Sequence, residues 1–416
     1  MRAHRHHKIA VAVFCLGIGC GSGQSTTSND ASNAASSQAS STSASGTSSS
    51  ASTASHAADG GSIDVGDGAA MADAASHDAA PRDATGEDGS SPDAALADAS
   101  SSVEGDGGDS GAVSEGPSSF HCVNWADERD NFVNGLLQPS GLSSASDTYT
   151  TVQAKADAIL SAFETDLEAN AIRIPINEPT VAGTWWNAYK GIIDTATAKG
   201  MKVVIAYWAY QNGKPDSVTA YDAMWQVVVD AYEANPLVYF DIHNEPYGYS
   251  SSAWVTFAEN WLSTFPTVPK DHIIIAGTGY DQNVNPVGSD AKLDGTLLSL
   301  HVYTFFSTGI TTAAGWESNI KSNVGTYSSR TIATEWGSPM TTGTNYDVTT
   351  DGDSYISYMN GVPDQLRAFD MGSCFWPGLR IGDSWSITTL QGTGTNLSLS
   401  VTNASGLERS HWAWGL

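Results

Sequence analysis

From residue 119 onward the apolar positions follow two alternating periods. Short apolar runs, read as strands, take turns with longer stretches in which apolar residues recur every three to four positions, read as helices. Residues 120–125 (FHCVNW) predict a strand, 151–169 a helix, 171–176 (AIRIPI) a strand, and 184–200 a helix stopped by Gly200. The alternation continues through strand 201–208, helix 220–234, strand 237–246, helix 252–265 and strand 272–277. Strand 297–303, helix 312–324, strand 330–336, helix 354–370 and strand 372–378 complete it. Only 281–296, between the fifth and sixth strands, lacks helical periodicity. Eight strands separated by helices predict a parallel α/β fold, and the count of eight favours a closed (β/α)8 TIM barrel over an open sheet.

Composition divides the 416 residues unevenly. Residues 21–118 are almost entirely Ser, Ala, Asp, Gly and Thr, without Trp, Tyr or Phe, whereas all thirteen Trp lie beyond them. Such a segment buries too little apolar area to offset its ordering entropy, and is expected to be a disordered linker. Within it Asp73, Asp78, Asp83, Asp88, Asp93 and Asp98 recur every five residues, a period that builds no apolar face. As a flexible, self-repelling spacer its ends would lie roughly 50–60 Å apart. Residues 119–416 are expected to form one domain.

Residues 1–20 start with a basic cluster and an apolar run, Ile9 to Ile18, too short to span a bilayer and suited to an export signal. The stretch LGIGC resembles a bacterial lipoprotein signal in which Cys20 becomes the lipidated first residue. Leucine stands four positions before the cysteine rather than three, so plain secretion stays open. Either way the chain is expected to be exported, as an outer-membrane or cell-surface lipoprotein or as a secreted protein. Cys122 and Cys374 are then left to form one disulfide, or to be two buried thiols. The net charge of −27 argues against nucleic acid or an anionic surface as partner and fits a neutral substrate.

In a parallel barrel the chemistry sits at the C-terminal strand ends. The fourth strand runs into Asn244-Glu245-Pro246 and the seventh into Glu335-Trp336-Gly337. Proline biases the residue before it towards an extended conformation, so Glu245 is expected extended at a strand tip. Two carboxylates facing each other across the mouth are equipment for glycosidic hydrolysis, one protonating the leaving oxygen while the other attacks or activates water. Arg173, His301, Tyr303 and Trp376 also fall at strand ends.

These residues, NEP closing strand four and EWG closing strand seven, resemble glycoside hydrolase family 5, across about 119–416. The resemblance implies a retaining β-glycosidase with Glu245 as acid/base and Glu335 as nucleophile. Asn244 would contact the sugar 2-hydroxyl, Arg173 would hold Glu335 ionised, and Tyr303 would hydrogen-bond it. His301 would line the same subsite and Trp376 would lie under the sugar. Most members carry a histidine at the end of strand three; here Tyr207 and Trp208 stand there. The implied activity is an endo-β-1,4-glucanase (cellulase), working as a monomer without metal or cofactor on a polysaccharide. Alternatives are another glycan (mannan, xyloglucan or a furanoside polymer), a non-catalytic carbohydrate-binding barrel, and a surface adhesin. Trp185, Trp186, Trp208 and Trp254 fit helix or core packing as well as sugar contact and are left out of the site. Residues 347–354 (DVTTDGDS) lack the spacing of a calcium loop and read as a solvated turn.

Overall fold

The computed structural model describes residues 116–349 and 351–416. The expected export signal with Cys20, and residues 21–115 of the expected linker, lie outside the described residues. Among those described, no helix is long and apolar enough to cross a membrane.

The chain enters through a 3-10 turn, Pro117–Ser119, with Pro117 buried. Phe120 N–H donates to Pro117 O. The linker was expected to reach residue 118, but the packed region already includes Pro117, because this turn closes against the barrel base. Then follow β1 (His121–Trp125), α1 (Tyr149–Asp166), β2 (Ala171–Ile176), α2 (Glu178–Ala182), α3 (Trp186–Ala198), β3 (Lys202–Tyr207), α4 (Val218–Tyr232) and β4 (Val238–Asp241). The second half comprises α5 (Ser251–Thr264), β5 (Ile273–Ala276), α6 (Thr278–Asp281), α7 (Asn285–Gly288), β6 (Leu297–Val302), α8 (Ala313–Val324), β7 (Thr331–Trp336), α9 (Ser354–Ala368) and β8 (Ser373–Leu379). A hairpin, β9 (Thr388–Thr393) and β10 (Asn396–Val401), precedes α10 (Ala404–Trp414).

Strands β1 to β8 pair in sequence order and close into a parallel barrel through β1 and β8. The expected (β/α)8 TIM barrel is thus the fold. Helices start where a polar side chain can accept the first free N–H groups: Thr148, Asn177, Ser217, Ser250, Thr312, Asp353 and Asn403 all cap. The stretch expected to be a solvated turn includes Asp353, which is the cap of α9.

Because successive strand residues point to opposite faces, the barrel interior is layered in steps of two. The lowest layer is apolar and includes Cys122, Ala171, Val204, Tyr239, Ile274, Leu297, Ile332 and Cys374. Two residues further along the strands stand polar groups: Asn124, Arg173, Asp241, Ser299 and Thr334, all buried. One step higher the interior opens into the mouth. Cys122 and Cys374 sit opposite each other on β1 and β8 and are joined by a disulfide, with Cα atoms 4.0 Å apart.

Two expectations change. Strand β4 ends at Asp241 rather than near Pro246. Beyond it Ile242 N–H still donates to Ile274 O and Asn244 N–H to Tyr207 O, but the ladder has ended. Glu245 is consequently not extended: its φ is 50°, in the left-handed region. A turn follows at once, in which Tyr247 N–H donates back to Glu245 O. That turn, rather than the proline's local bias, sets the backbone of Glu245.

Candidate active site

Arg173 organises the polar layer. It is 1% exposed, and its guanidinium donates to four side chains. Nε donates to Asp241 Oδ2 at 2.9 Å, and Nη1 to Asn124 Oδ1 at 3.1 Å and Glu335 Oε1 at 2.5 Å. Nη2 donates to Asn244 Oδ1 at 2.7 Å. Burial works against its charge, but Asp241 and Glu335 outweigh burial and the net direction is upward. This cation therefore stays charged and fixes Glu335 and Asn244 at once.

Glu335 reaches the mouth through an irregularity. The β6–β7 register shifts between Ser299 and His301, so that His301 pairs with Glu335. Such a shift re-aims a side chain. Glu335 Oε2 accepts from Tyr303 Oη at 2.9 Å. Burial keeps the Tyr303 phenol protonated, its pKa well above the ordinary value, so it remains a donor.

Glu245 faces Glu335 across the mouth. His301 Nδ1 lies 3.0 Å from Glu245 Oε1 and 3.6 Å from Glu335 Oε2. One ligand-type atom from each of Glu245, His301 and Glu335 can be chosen within 4.8 Å of the others. That spacing would admit a cation, but both oxygens of Glu335 already accept hydrogen bonds from Arg173 and Tyr303. Burial raises both carboxyls. Glu335 is pushed up to about 7, with Arg173 and Tyr303 pulling it back down. Glu245 goes well above its ordinary value, by burial and then by the charge of Glu335. The two acids are thereby separated in the order that leaves Glu245 the proton.

The mouth is a cavity of about 410 Å³ lined by both acids, Trp208, Trp376, Tyr303 and Trp385, among others. Asn244 Nδ2 is fully buried and has no hydrogen-bond partner among the described residues, a donor left over beside the two carboxylates.

The structure thus brings Arg173, Asn244, Glu245, His301, Tyr303, Glu335 and Trp376 to one site. It also adds Trp208. Trp208 lies parallel to Trp376, ring centroids 5.5 Å apart, with the Arg173 guanidinium 5.8 Å from its own ring. Its signal was in the sequence: Val204, Ala206 and Trp208 share one strand face. Tyr207, of opposite parity, turns outward and donates to Glu178 at 2.8 Å. Trp185 and Trp254 are buried packing residues whose indoles donate to Leu137 O and Ala276 O, and Trp186 is buried against Tyr189. Asp241, Asn124 and Asp281 had no local signal, since each matters only through what it touches.

A closed parallel barrel carrying opposed carboxylates beyond β4 and at the end of β7, one of them clamped by arginine and tyrosine, defines a barrel glycoside hydrolase. Residues 135–376 match the family model described as cellulase (glycosyl hydrolase family 5). The chain belongs to that family. The endocellulase from Pyrococcus horikoshii, in a complex with cellotetraose, is a structural neighbour: TM-score 0.50, 15% identity, covering 71% of this chain and 92% of that one. A hyperthermostable endocellulase whose disulfide was studied for thermostability aligns with TM-score 0.50 and 14% identity over 71% and 92% of the chains. A halotolerant cellulase of the same family, from an Icelandic hot spring isolate, aligns with TM-score 0.46 and 15% identity over 64% and 86%. At such identities the two endocellulases speak for the shared fold alone. No curated protein sequence matches the chain.

Proposed function

We propose that the chain is a retaining endo-β-1,4-glucanase in which Glu335 is the nucleophile and Glu245 the acid/base. The carrying observation is the unequal support of two opposed carboxylates. Glu335 has a cation and a phenol on its two oxygens, whereas Glu245 has one neutral imidazole. Attack by Glu335 on the anomeric carbon breaks the glycosidic bond as Glu245 gives its proton to the leaving oxygen. Water, deprotonated by Glu245, then cleaves the glycosyl ester. The free Asn244 Nδ2 suits the sugar 2-hydroxyl, and Trp376 with Trp208 supplies the aromatic wall.

The family supports cellulose as substrate. Trp208, at the strand-three end where most members carry histidine, reshapes the glycone side and keeps mannan and xyloglucan as second candidates. Residues 1–20 are proposed as an export signal with lipidation at Cys20, and residues 21–115 as a spacer between membrane and barrel. We propose that the enzyme acts on its polysaccharide as a monomer.

Assay of the purified chain on a glycan panel tests the substrate. The roles are tested by Glu335→Ala and Glu245→Ala. The first should abolish turnover on every substrate. The second should spare substrates with good leaving groups in the glycosylation step, and added azide should accelerate it and give a glycosyl azide of retained configuration. An inverted azide product from the Glu245 variant, or azide rescue confined to the Glu335 variant, would reverse the assignment.

A further inference from the structure

His301 stands between two acids, and only Glu245 belongs to the reaction described above. On its other side Asp281 Oδ2 lies 3.1 Å from Nε2. Asp281 is completely buried on a segment interrupted by non-helical backbone at Gly279 and Tyr280. Its φ is 57° and that of Glu245 is 50°, so both acids flanking the imidazole are presented by left-handed backbone. Such conformations persist only where the surroundings impose them. Ser299 Oγ donates to Asp281 Oδ2 at 2.9 Å and is itself hydrogen-bonded to Thr334. Among the described residues neither Nε2 of His301 nor Oδ1 of Asp281 has a hydrogen-bond partner, though both atoms are buried. Nε2 and Asp281 Oδ2 are within hydrogen-bonding distance, though not aligned as a hydrogen bond in this structure. Catalytic hydrogen bonds are commonly slack until substrate binds.

We propose that Asp281 is a positioning residue: it donates a hydrogen bond to His301 Nε2 and so fixes the imidazole with its proton on Nδ1. The consequence falls on Glu245. A neutral imidazole carries one N–H. With that proton on Nδ1, Oε1 of Glu245 becomes an acceptor, and the acid proton must sit on Oε2, the oxygen left for the cavity. With the proton on Nε2 instead, Nδ1 would draw the acid proton to Oε1, away from the leaving oxygen. The surrounding charges agree. Burial, then Arg173, holds His301 neutral. Burial, then the charge of Asp241, pushes Asp281 well above its ordinary value, so that it has a proton to donate. Besides these, Glu335 and Tyr303 face the pair, and Arg173 is the one cation among them.

This inference rests on Glu245 being the acid/base, and its test separates the two. Asparagine can donate the same bond from its amide, whereas alanine cannot. In the full chain, Asp281→Asn should keep kcat/KM within about threefold of the parent. Asp281→Ala should lose more than about tenfold on aryl glycosides with poor leaving groups and little on dinitrophenyl glycosides, which need no acid. The basic limb of the pH profile should be no lower in Asp281→Asn, because its amide cannot ionise. Nitrogen NMR of the parent should show His301 protonated at Nδ1. An asparagine variant as impaired as the alanine one, an equal loss on all leaving groups, or an Nε2–H tautomer in the spectrum would overturn the proposal. If Glu245→Ala itself fails to discriminate among leaving groups, the acid/base assignment falls, while the tautomer measurement still reads what Asp281 does.

Discussion

At the scale of single residues, the chemistry depends on two carboxyls holding different protonation states. Both are buried, Glu245 at 8% and Glu335 at 3% exposure, so both rise above a free carboxylate. Arg173 and Tyr303, hydrogen-bonded to Glu335, restrain its rise to about 7, whereas on Glu245 the pull of Arg173 is smaller than the push of burial and of Glu335. The nucleophile must be ionised and the acid protonated, so kcat/KM should climb as pH rises through about 7 and fall again at higher pH. Removing the cation with Arg173→Met should move the acid limb to higher pH, because the lost interaction is one that favours the charged carboxylate. A limb near 4.5 that ignores the substitution would show that solvent, not Arg173, sets the charge of Glu335. Both acids are legible as acids that close apolar runs ahead of Pro246 and Gly337. The conformation of Glu245 is not, since a proline behind it argues for extended backbone and the turn to Tyr247 overrides that bias. Asp281 sits in GTGYDQNVNP, where neither period operates, and nothing local distinguishes it from a loop acid.

At the scale of elements, the strand and helix cores are legible because buried parallel strands are short apolar runs and the longer helices other than α3 carry side-chain caps. Boundaries shift where a pattern outlasts its hydrogen bonds, as in β4, whose apolar alternation continues past the ladder's end at Asp241. The β9–β10 hairpin and α10 escape the pattern for a different reason. Thr, Ser and Gly dominate 388–401, and the few apolar side chains, such as Leu390 and Leu397, pack on the outside of the barrel beside α1. Helix α9 shows what a sequence pattern leaves out altogether. Its Gly361 passes so close to α8 that an added Cβ would lie 2.2 Å from Ala313 O and 2.8 Å from Ala313 C. Backbone atoms cannot swing aside, so Gly361→Ala must separate the two helices. It should destabilise by about 1–3 kcal/mol despite alanine's better helix propensity. Equilibrium unfolding measures this, and a stabilised variant would mean that α8 and α9 approach less closely than described.

At the scale of the whole molecule, the barrel is one ring, and its closure joins strands from opposite ends of the domain. Strand β1 meets β8 with Cys122 opposite Cys374, and the bridge closes 252 residues of sequence separation. The eight-strand pattern makes such a neighbourhood legible, because the first and last strands touch only in a closed sheet. The bridge lies in the apolar base, two residues down each strand from the layer of Asn124 and Trp376, so it and the active site occupy different levels of the interior. Cross-linking so long a loop acts chiefly on the unfolded chain, reducing the conformations it loses on folding, and is worth about 2–5 kcal/mol. Unfolding in denaturant with and without reductant, on the same chain, isolates that contribution without altering a side chain in the core. The reduced form should unfold at lower denaturant, with a steeper dependence on denaturant concentration, because its unfolded chain is free to expand. Its kcat on a soluble substrate should match the oxidised form, since Arg173, Glu245 and Glu335 are held by contacts above the base. Coincident unfolding curves would show that strand pairing alone secures the ring. A fall in kcat on reduction would show that the base and the mouth are mechanically coupled through the barrel's layers.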